Sequence, residues 1–586
     1  MSSVEGQMLS FFGGFLSSFR FGEVTSRGGR RTVVASVAFA VLYALSLQLG
    51  INLSKTGTLC LGETATWFFV FLMTAVSVFC IFLACRVAGV LRLRDSRSRT
   101  FFDLTHPLLF SWMLIIAAWL PVVLARWPGD FCFDAMWQTA FMLPDKTNIP
   151  EYWAHLNSWH PPLHSLWLGG SLYLGWSLFQ SYSIGLALYT VSQVLLFSFC
   201  VARVVSYVYE RGHCVLFIFS LLAACLFSGF AVYATMTTKD VAFSGLFSLS
   251  VLWVYRSVTD DYDRKRGGAW LLSGFSFFLL SMLLRNNAIH AYILITVILA
   301  VARMTGKTEI KDLISPLGAA IVCALLITGP LYAACGIEPG PAKEVMSVPS
   351  VQLSSVLKDH RAELSDEDVS YLTRLIPDWE KYDHSLLADE TKMRFDTSLV
   401  SEDPIRFASL YVRLAIAFPG SYLNAWSLLS AGYWSQAIDY SASEAGCLSF
   451  PLMCPYEAVR GTLPEYLAIP FERPVPVLSD ILDKVLSLQV ECKIPFVGVL
   501  FRAATWFWLL LASIAVSYAT STPFRRLLPS LLLLSYCTTL FLGPGSIYRY
   551  ASPLFICAPL ILMLIIELAG EGVNCKDALV GGSVRN

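Results

Sequence analysis

The chain has 586 residues, 56% of them hydrophobic and 14% charged, with a mean hydropathy of +0.60. That composition excludes a soluble protein built round one packed core and points to a chain that crosses a membrane many times. Lysine plus arginine and aspartate plus glutamate number 42 each, so the chain offers no basic field for a polyanion and nucleic acid is not expected as a partner.

A helix needs roughly 20 apolar residues to cross the hydrocarbon core. The first such run is 32–52; it follows Arg27, Arg30 and Arg31 and lacks a small-residue cleavage site, so it reads as an uncleaved span. Runs at 66–88 and 106–125 come next, and the third opens onto "WPGDFCFDAMWQTAFMLPDKTNIPEYWAHLNSWHPPLHSLWLGG", where ionisable and aromatic residues are crowded together. The apolar stretch 161–180 follows, and then come 183–206, 213–232, 241–256, 268–284, 287–303 and 313–335. A segment of ordinary soluble composition separates these from three last runs at 496–518, 527–543 and 551–568. The expected fold is therefore an all-α polytopic membrane protein with about twelve transmembrane helices.

Short cytoplasmic loops carry the excess of basic residues. With the N-terminus inside, the inner loops hold Arg92, Arg94, Arg97 and Arg99, then Arg211, then Arg264, Lys265 and Arg266, then Lys307 and Lys311, then Arg525 and Arg526. Counting 161–180 as a further span would reverse every later loop, so an interfacial helix is the expectation there; Trp159, Trp167 and Trp176 suit such a boundary. On this topology the segment 336–495 is an extracytoplasmic domain. Its stretches "LSDEDVSYLTRLIP" and "SEDPIRFASLYVRLAIAFPGSYLNAWSLL" predict short helices, with Pro404 just inside one start and Pro419-Gly420 breaking the run. Of the fifteen cysteines, Cys447 with Cys454 and Cys335 with Cys492 are open to pairing, and free thiols are an equal alternative.

Several ionisable residues gather at the outer ends of the spans: Asp130 and Asp134, His160 and His164, Lys239 and Asp240, Arg285, and Arg549. Taken singly, an aspartate in a loop is usually solvated and a basic residue at a span end usually anchors the interface. Asn286 and Asn287 have a similar plain reading, as helix caps or interhelical hydrogen-bonding groups. Together, at one depth, such groups mark a polar cavity. Basic residues there suit a phosphate leaving group, and a facing carboxylate suits proton abstraction from an acceptor hydroxyl. That chemistry is glycosyl transfer from a phosphorylated lipid.

The motifs "WPGDFCFDAMWQ", "WHPPLHSLWLG", "TTKDVAF", "LLRNNAIH", "SVPSVQLSSVLKDHRAELSDEDVSYLTRLIP", "YLNAWSLLSAGYWSQ" and "YRYASP" resemble the GT-C superfamily of membrane glycosyltransferases, and within it a bacterial branch, the DUF6020 family. The resemblance implies a GT-C-like bundle with interfacial helices. Residues 1–335 would form the module that carries the catalytic outer loop 126–182, residues 336–495 a helical extracytoplasmic domain, and 496–586 the last spans and a cytoplasmic tail. It implies Asp134 as the catalytic carboxylate, with Asp130 second and His160 beside them. Lys239, Arg285, Arg549 and Tyr548 would face the donor phosphate, while Asp240, His164, Asn286, Asn287 and Gln138 would line the cavity. The paired acidic residues of many protein mannosyltransferases are missing, since Asp134 is followed by Ala135. No cofactor is required by the pattern; a divalent metal is left open, with Asp130, Asp134 and Asp240 as oxygen donors.

The expected function is an enzyme of the cell membrane. It would move a sugar from a polyprenyl-phosphate-linked donor to a surface glycan, lipid or protein acceptor on the extracytoplasmic face. A polymerase or ligase of lipid-linked glycans is the alternative, and a transporter of lipid-linked sugars a weaker one, because no internal repeat is visible.

Overall fold

The computed structural model describes residues 27–78, 104–143, 149–259, 267–305, 311–382, 386–438, 474–488 and 498–581. Arg92, Arg94, Arg97, Arg99, Arg264, Lys265, Arg266, Lys307, Cys447, Cys454 and Cys492, all named above, lie outside these residues. Cys335 carries a free, exposed thiol. The described chain is helical without strands; its three isolated bridges join loops.

The helices in chain order are α1 (Arg27–Thr56), α2 (Thr64–Val78), α3 (Pro107–Ala125), α4 (Phe133–Thr139), α5 (Glu151–Ala154), α6 (Pro162–Phe179), α7 (Tyr182–Glu210), α8 (Cys214–Leu226), α9 (Ser228–Thr235), α10 (Lys239–Thr259), α11 (Gly268–Leu284), α12 (Ala288–Met304) and α13 (Lys311–Leu326). The soluble-like segment contributes α14 (Ser347–Asp359), α15 (Asp366–Leu375), α16 (Pro404–Ala417), α17 (Pro419–Trp434) and α18 (Pro476–Leu488). The chain closes with α19 (Ala503–Thr520), α20 (Leu528–Leu540) and α21 (Tyr548–Gly581).

Among the described residues seven helical stretches are long and apolar enough to cross a membrane: Arg30–Thr56, Pro107–Ala125, Tyr182–Glu210, Lys239–Thr259, Leu313–Ala334, Ala503–Thr520 and Tyr548–Ala569. The pair α8 and α9, bent by 52°, makes an eighth if it is one broken span. The sequence-based figure of about twelve is not reached by this measure. Part of the difference is length: α2, α11 and α12 are apolar but shorter, and α20 has only 13 residues. The helix expected over 161–180 forms as α6, and it is not among the seven.

Helix α10 is the centre of the bundle, with 94% of its apolar stretch buried. It packs on α7, α11, α20 and α21 through Phe243, Phe247, Val251, Trp253 and Tyr255. The helix ends sort into two groups. At one end Glu567 of α21 receives Arg211 at 2.9 Å, Arg526 at 3.6 Å, His213 at 3.5 Å and the Tyr255 hydroxyl at 2.9 Å. Arg31 of α1 meets Ser521 and Tyr518, beyond and within the last turn of α19, in the same group. At the other end lie the last turns of α3 and α11 and the first turns of α10 and α21.

The segment 347–434 holds a core of its own, from Leu353, Val356, Leu357, Leu372, Leu375, Leu410 and Leu414. Ser365 caps α15 by accepting from the Asp368 N–H, and Asp403 caps α16 by accepting from the Arg406 N–H at 2.9 Å with Pro404 in first position. The break expected at Pro419-Gly420 separates α16 from α17. Helix α17 then joins this segment to the bundle: Asn424 accepts from the Leu59 N–H, Trp426 donates to Phe541 O, and Tyr433 donates to Gly545 O.

Candidate functional site

Three chain segments converge after α3. Gly129 has φ +145 and a Cβ there would overlap Thr190 Oγ1, so only glycine lets the chain turn this close to α7. The turn sets 130–132 alongside 235–237. The Asp130 N–H donates to Thr235 O and the Thr237 N–H to Asp130 O, each at 2.9 Å, and the Cys132 N–H donates to Thr237 Oγ1 at 2.8 Å. This stitch fixes the start of α4 against the start of α10, and so brings Asp134 to Lys239.

Asp134 Oδ2 lies 2.9 Å from Arg549 Nη1 and 3.6 Å from Lys239 Nζ. Lys239 also donates to His160 Nδ1 at 3.2 Å, and Arg549 donates to the Tyr550 hydroxyl at 3.2 Å. Side chains of Asp134, Lys239 and Arg549 are 19%, 17% and 16% exposed, so none of the three is fully buried. Arg285 and Asp240 behave differently. They form a direct ion pair with exposures of 8% and 0%, and Arg285 stacks on the Tyr550 ring at 4.3 Å. Asp240 in turn faces Arg549 Nε at 3.6 Å. A pair buried this deeply holds Arg549 from behind and is closed to a ligand.

The local field follows from these contacts. Burial works against ionisation of Asp134, but Arg549 and then Lys239 outweigh it and hold the carboxyl well below the usual carboxylate range. His160 is pushed down to about 3, by burial first and by the Lys239 ammonium second. It is therefore neutral near pH 7, which agrees with an Nδ1 that accepts from Lys239.

Gln138 lies one turn beyond Asp134 on α4 and contacts His164 Nδ1. His164 Nε2 meets the Tyr189 hydroxyl at 2.7 Å, and that hydroxyl donates to Gln193 Oε1. Gln193 Nε2 ends the chain by donating to Ala234 O at 3.0 Å and Met236 O at 2.7 Å. Since the hydroxyl is spent on Gln193, it accepts from His164 Nε2–H and leaves Nδ1 as an acceptor. The structure sets the Gln138 amide oxygen against Nδ1 and leaves its amide nitrogen without a partner, so this hydrogen-bond pattern calls for the amide to be turned by 180°, with the nitrogen donating to His164. Burial first and Lys239 second push His164 down to about 3, so a neutral ring fits this reading. The whole chain braces α4 against α6, α7 and the 234–236 segment.

Other expected site residues are placed as follows. Asp130 uses its backbone for the stitch, and its carboxylate lies 3.5 Å from Arg126. Tyr548, expected beside the phosphate, is 2% exposed and packs among Phe227, Tyr233 and Phe555, because its ring completes that aromatic cluster. Arg285, with the same expected role, is sealed by Asp240 as described. Asn286 is exposed and donates to Ser158 O at 3.4 Å, and Asn287 is exposed at the start of α12. Asp130, Asp134 and Asp240 do not form one ligand set: each faces a guanidinium, and among the described residues no group of three or more His, Cys, Asp or Glu is arranged to hold a metal ion. Tyr189 and Gln193 were not expected from the sequence, and Arg126 was expected only as one of the few basic residues on the outer side. The lone glutamine in the apolar "YTVSQVLLF" was the available signal for the brace.

Fold and site together define an all-helical, multi-pass membrane protein with a partly open carboxylate and two cations at one end of its bundle. Residues 96–378 match the model of a family of unknown function, DUF6020, a stretch that carries Asp134, His160, Lys239 and Arg285 and stops short of Arg549. No curated protein and no solved structure matches the chain.

Proposed function

We propose that the protein is a GT-C-type glycosyltransferase that moves a sugar from a polyprenyl-phosphate-linked donor to an acceptor on the extracytoplasmic face of the cell membrane. The single observation that carries the reading is the meeting of Lys239, Arg549 and Asp134 in one partly open site at the helix ends. The two cations suit the donor phosphate, and the carboxylate suits the acceptor.

In the reaction the acceptor oxygen attacks the anomeric carbon while Asp134 takes its proton. The bond from that carbon to the phosphate oxygen breaks, and the electron pair leaves on polyprenyl phosphate, where Lys239 and Arg549 stabilise the developing charge. The same two cations hold down the basicity of Asp134 before the donor arrives. A phosphate drawn to them shares their charge and restores basicity to Asp134, which favours donor binding before acceptor activation. Segment 347–434 packs directly on the site end, and a polymeric acceptor bound to it, as in a glycan polymerase or ligase, is the alternative reading.

Binding of polyprenyl phosphate to the purified protein in nanodiscs tests the assignment. Loss of one charge-assisted contact, worth about 1.5 to 3 kcal/mol, weakens binding roughly ten- to a hundredfold in Lys239→Ala. Equal affinity in wild type and variant would reduce Lys239 to an interface anchor.

A further inference from the structure

A row of aromatic rings leads away from Lys239. His160, which accepts from Lys239, lies parallel to Trp159 at 6.3 Å; Trp159 stacks on Trp153 at 4.9 Å, and Trp153 meets Trp137 at 4.9 Å. Tyr152 closes edge-on against Trp153 at 5.2 Å. None of these five side chains is fully buried.

The surroundings of the row do not suit a lipid-facing belt. The segment 338–344 of the soluble-like region lies over it: the Ser158 N–H donates to Glu338 O at 2.8 Å, and Tyr152 donates to Pro339 O at 3.1 Å. Gly340 approaches so closely that a Cβ would stand 3.1 Å from Trp159 Cα. Charged groups border the rings. Trp159 Nε1 donates to Glu344 at 3.1 Å, Lys343 sits 5.6 Å above the Trp159 ring, and Lys392 pairs with Glu344 at 2.7 Å. Such a rim places the row outside the hydrocarbon, where the helix ends meet the soluble-like segment.

We infer that the Trp137, Trp153 and Trp159 row is a carbohydrate subsite that holds the acceptor glycan next to Asp134. A pyranose presents a patch of C–H bonds to an aromatic face and hydroxyls at its edge. Indole rings cover the first, and Glu344 and Lys343 meet the second. The row starts at His160, one hydrogen bond from Lys239, so a chain of sugars lying along it delivers its terminal hydroxyl to the carboxylate. This rests on the glycosyltransferase reading for the word acceptor, but the binding of saccharide itself does not depend on transfer.

The test is intrinsic tryptophan fluorescence of the full chain in nanodiscs, titrated with soluble tri- and tetrasaccharides of hexoses and N-acetylhexosamines, with polyprenyl phosphate titrated in parallel. At least one saccharide is expected to bind saturably to wild type, with affinity reduced about tenfold or more in Trp153→Ala and kept within about threefold in Trp153→Phe, which retains an aromatic face. Absence of saccharide binding, or binding that Trp153→Ala and Trp159→Ala leave unchanged, overturns the subsite. Saccharide binding without polyprenyl-phosphate binding would support the subsite and count against the transferase reading; the reverse would overturn the subsite alone.

Discussion

Asp134 and His160 share one ammonium, and the two titrate over different ranges. The depressed carboxyl of Asp134 gives stability that is present above the unfolded value of about 3.9 and is lost only below it. His160, neutral down to about 3, acts earlier: between there and the unfolded value of about 6.5 the unfolded chain binds the extra proton, so stability falls as the pH falls. His164 adds a second contribution of the same sign. The slope of stability against pH between about 4.5 and 6 should therefore drop by about one proton in His160→Gln. Thermal unfolding of the detergent-solubilised protein measures it, and an unchanged slope would mean that His160 is not held neutral by burial and Lys239. At this scale the sequence exposed the charged members of the site, since Asp134, Lys239 and Arg549 are conspicuous among hydrocarbon. It did not reveal that Asp240 seals Arg285 or that Tyr548 faces an aromatic cluster, because burial depends on neighbours from distant parts of the chain.

Helix α6 owes its place to two glycines. Gly175 on α6 faces Gly185 on α7, and a Cβ on Gly185 would lie 2.6 Å from Leu172 Cα and 2.7 Å from Ser171 O. The backbones touch, so His164 reaches Tyr189 across the hairpin. Gly185→Leu should force the pair apart and cost about 1 to 3 kcal/mol, lowering the thermal midpoint and the activity together. Gly170→Ala is the control, because nothing lies within 4 Å of a Cβ there. Equal midpoints for Gly185→Leu and wild type would show that the hairpin does not depend on this contact. The limits of α6 were legible to within a residue or two, as Pro161-Pro162 opens it and Gln180-Ser181 closes it. Its packing was not, since a glycine pair ten residues apart has no meaning until the turn between the helices is known.

Across the whole molecule the charged residues sort with the helix ends. Arg31, Arg211 and Arg526 gather with Glu567 at one end, and Asp134, Lys239 and Arg549 at the other. The distribution of basic residues predicts that these two groups lie on opposite sides of the membrane, and the contacts place them at opposite helix ends. The number of spans was less legible, because α11, α12 and α20 are short apolar helices whose role depends on packing inside the bundle. The central claim is that Asp134 at the second end is the base for sugar transfer. Its most direct test is purified protein in liposomes, given a polyprenyl-phosphate sugar and a glycan acceptor, with wild type compared against Asp134→Asn. Wild type is expected to transfer the sugar, and the variant to insert normally and keep donor binding with transfer lowered at least about a hundredfold. Transfer by Asp134→Asn at the wild-type rate would contradict the claim.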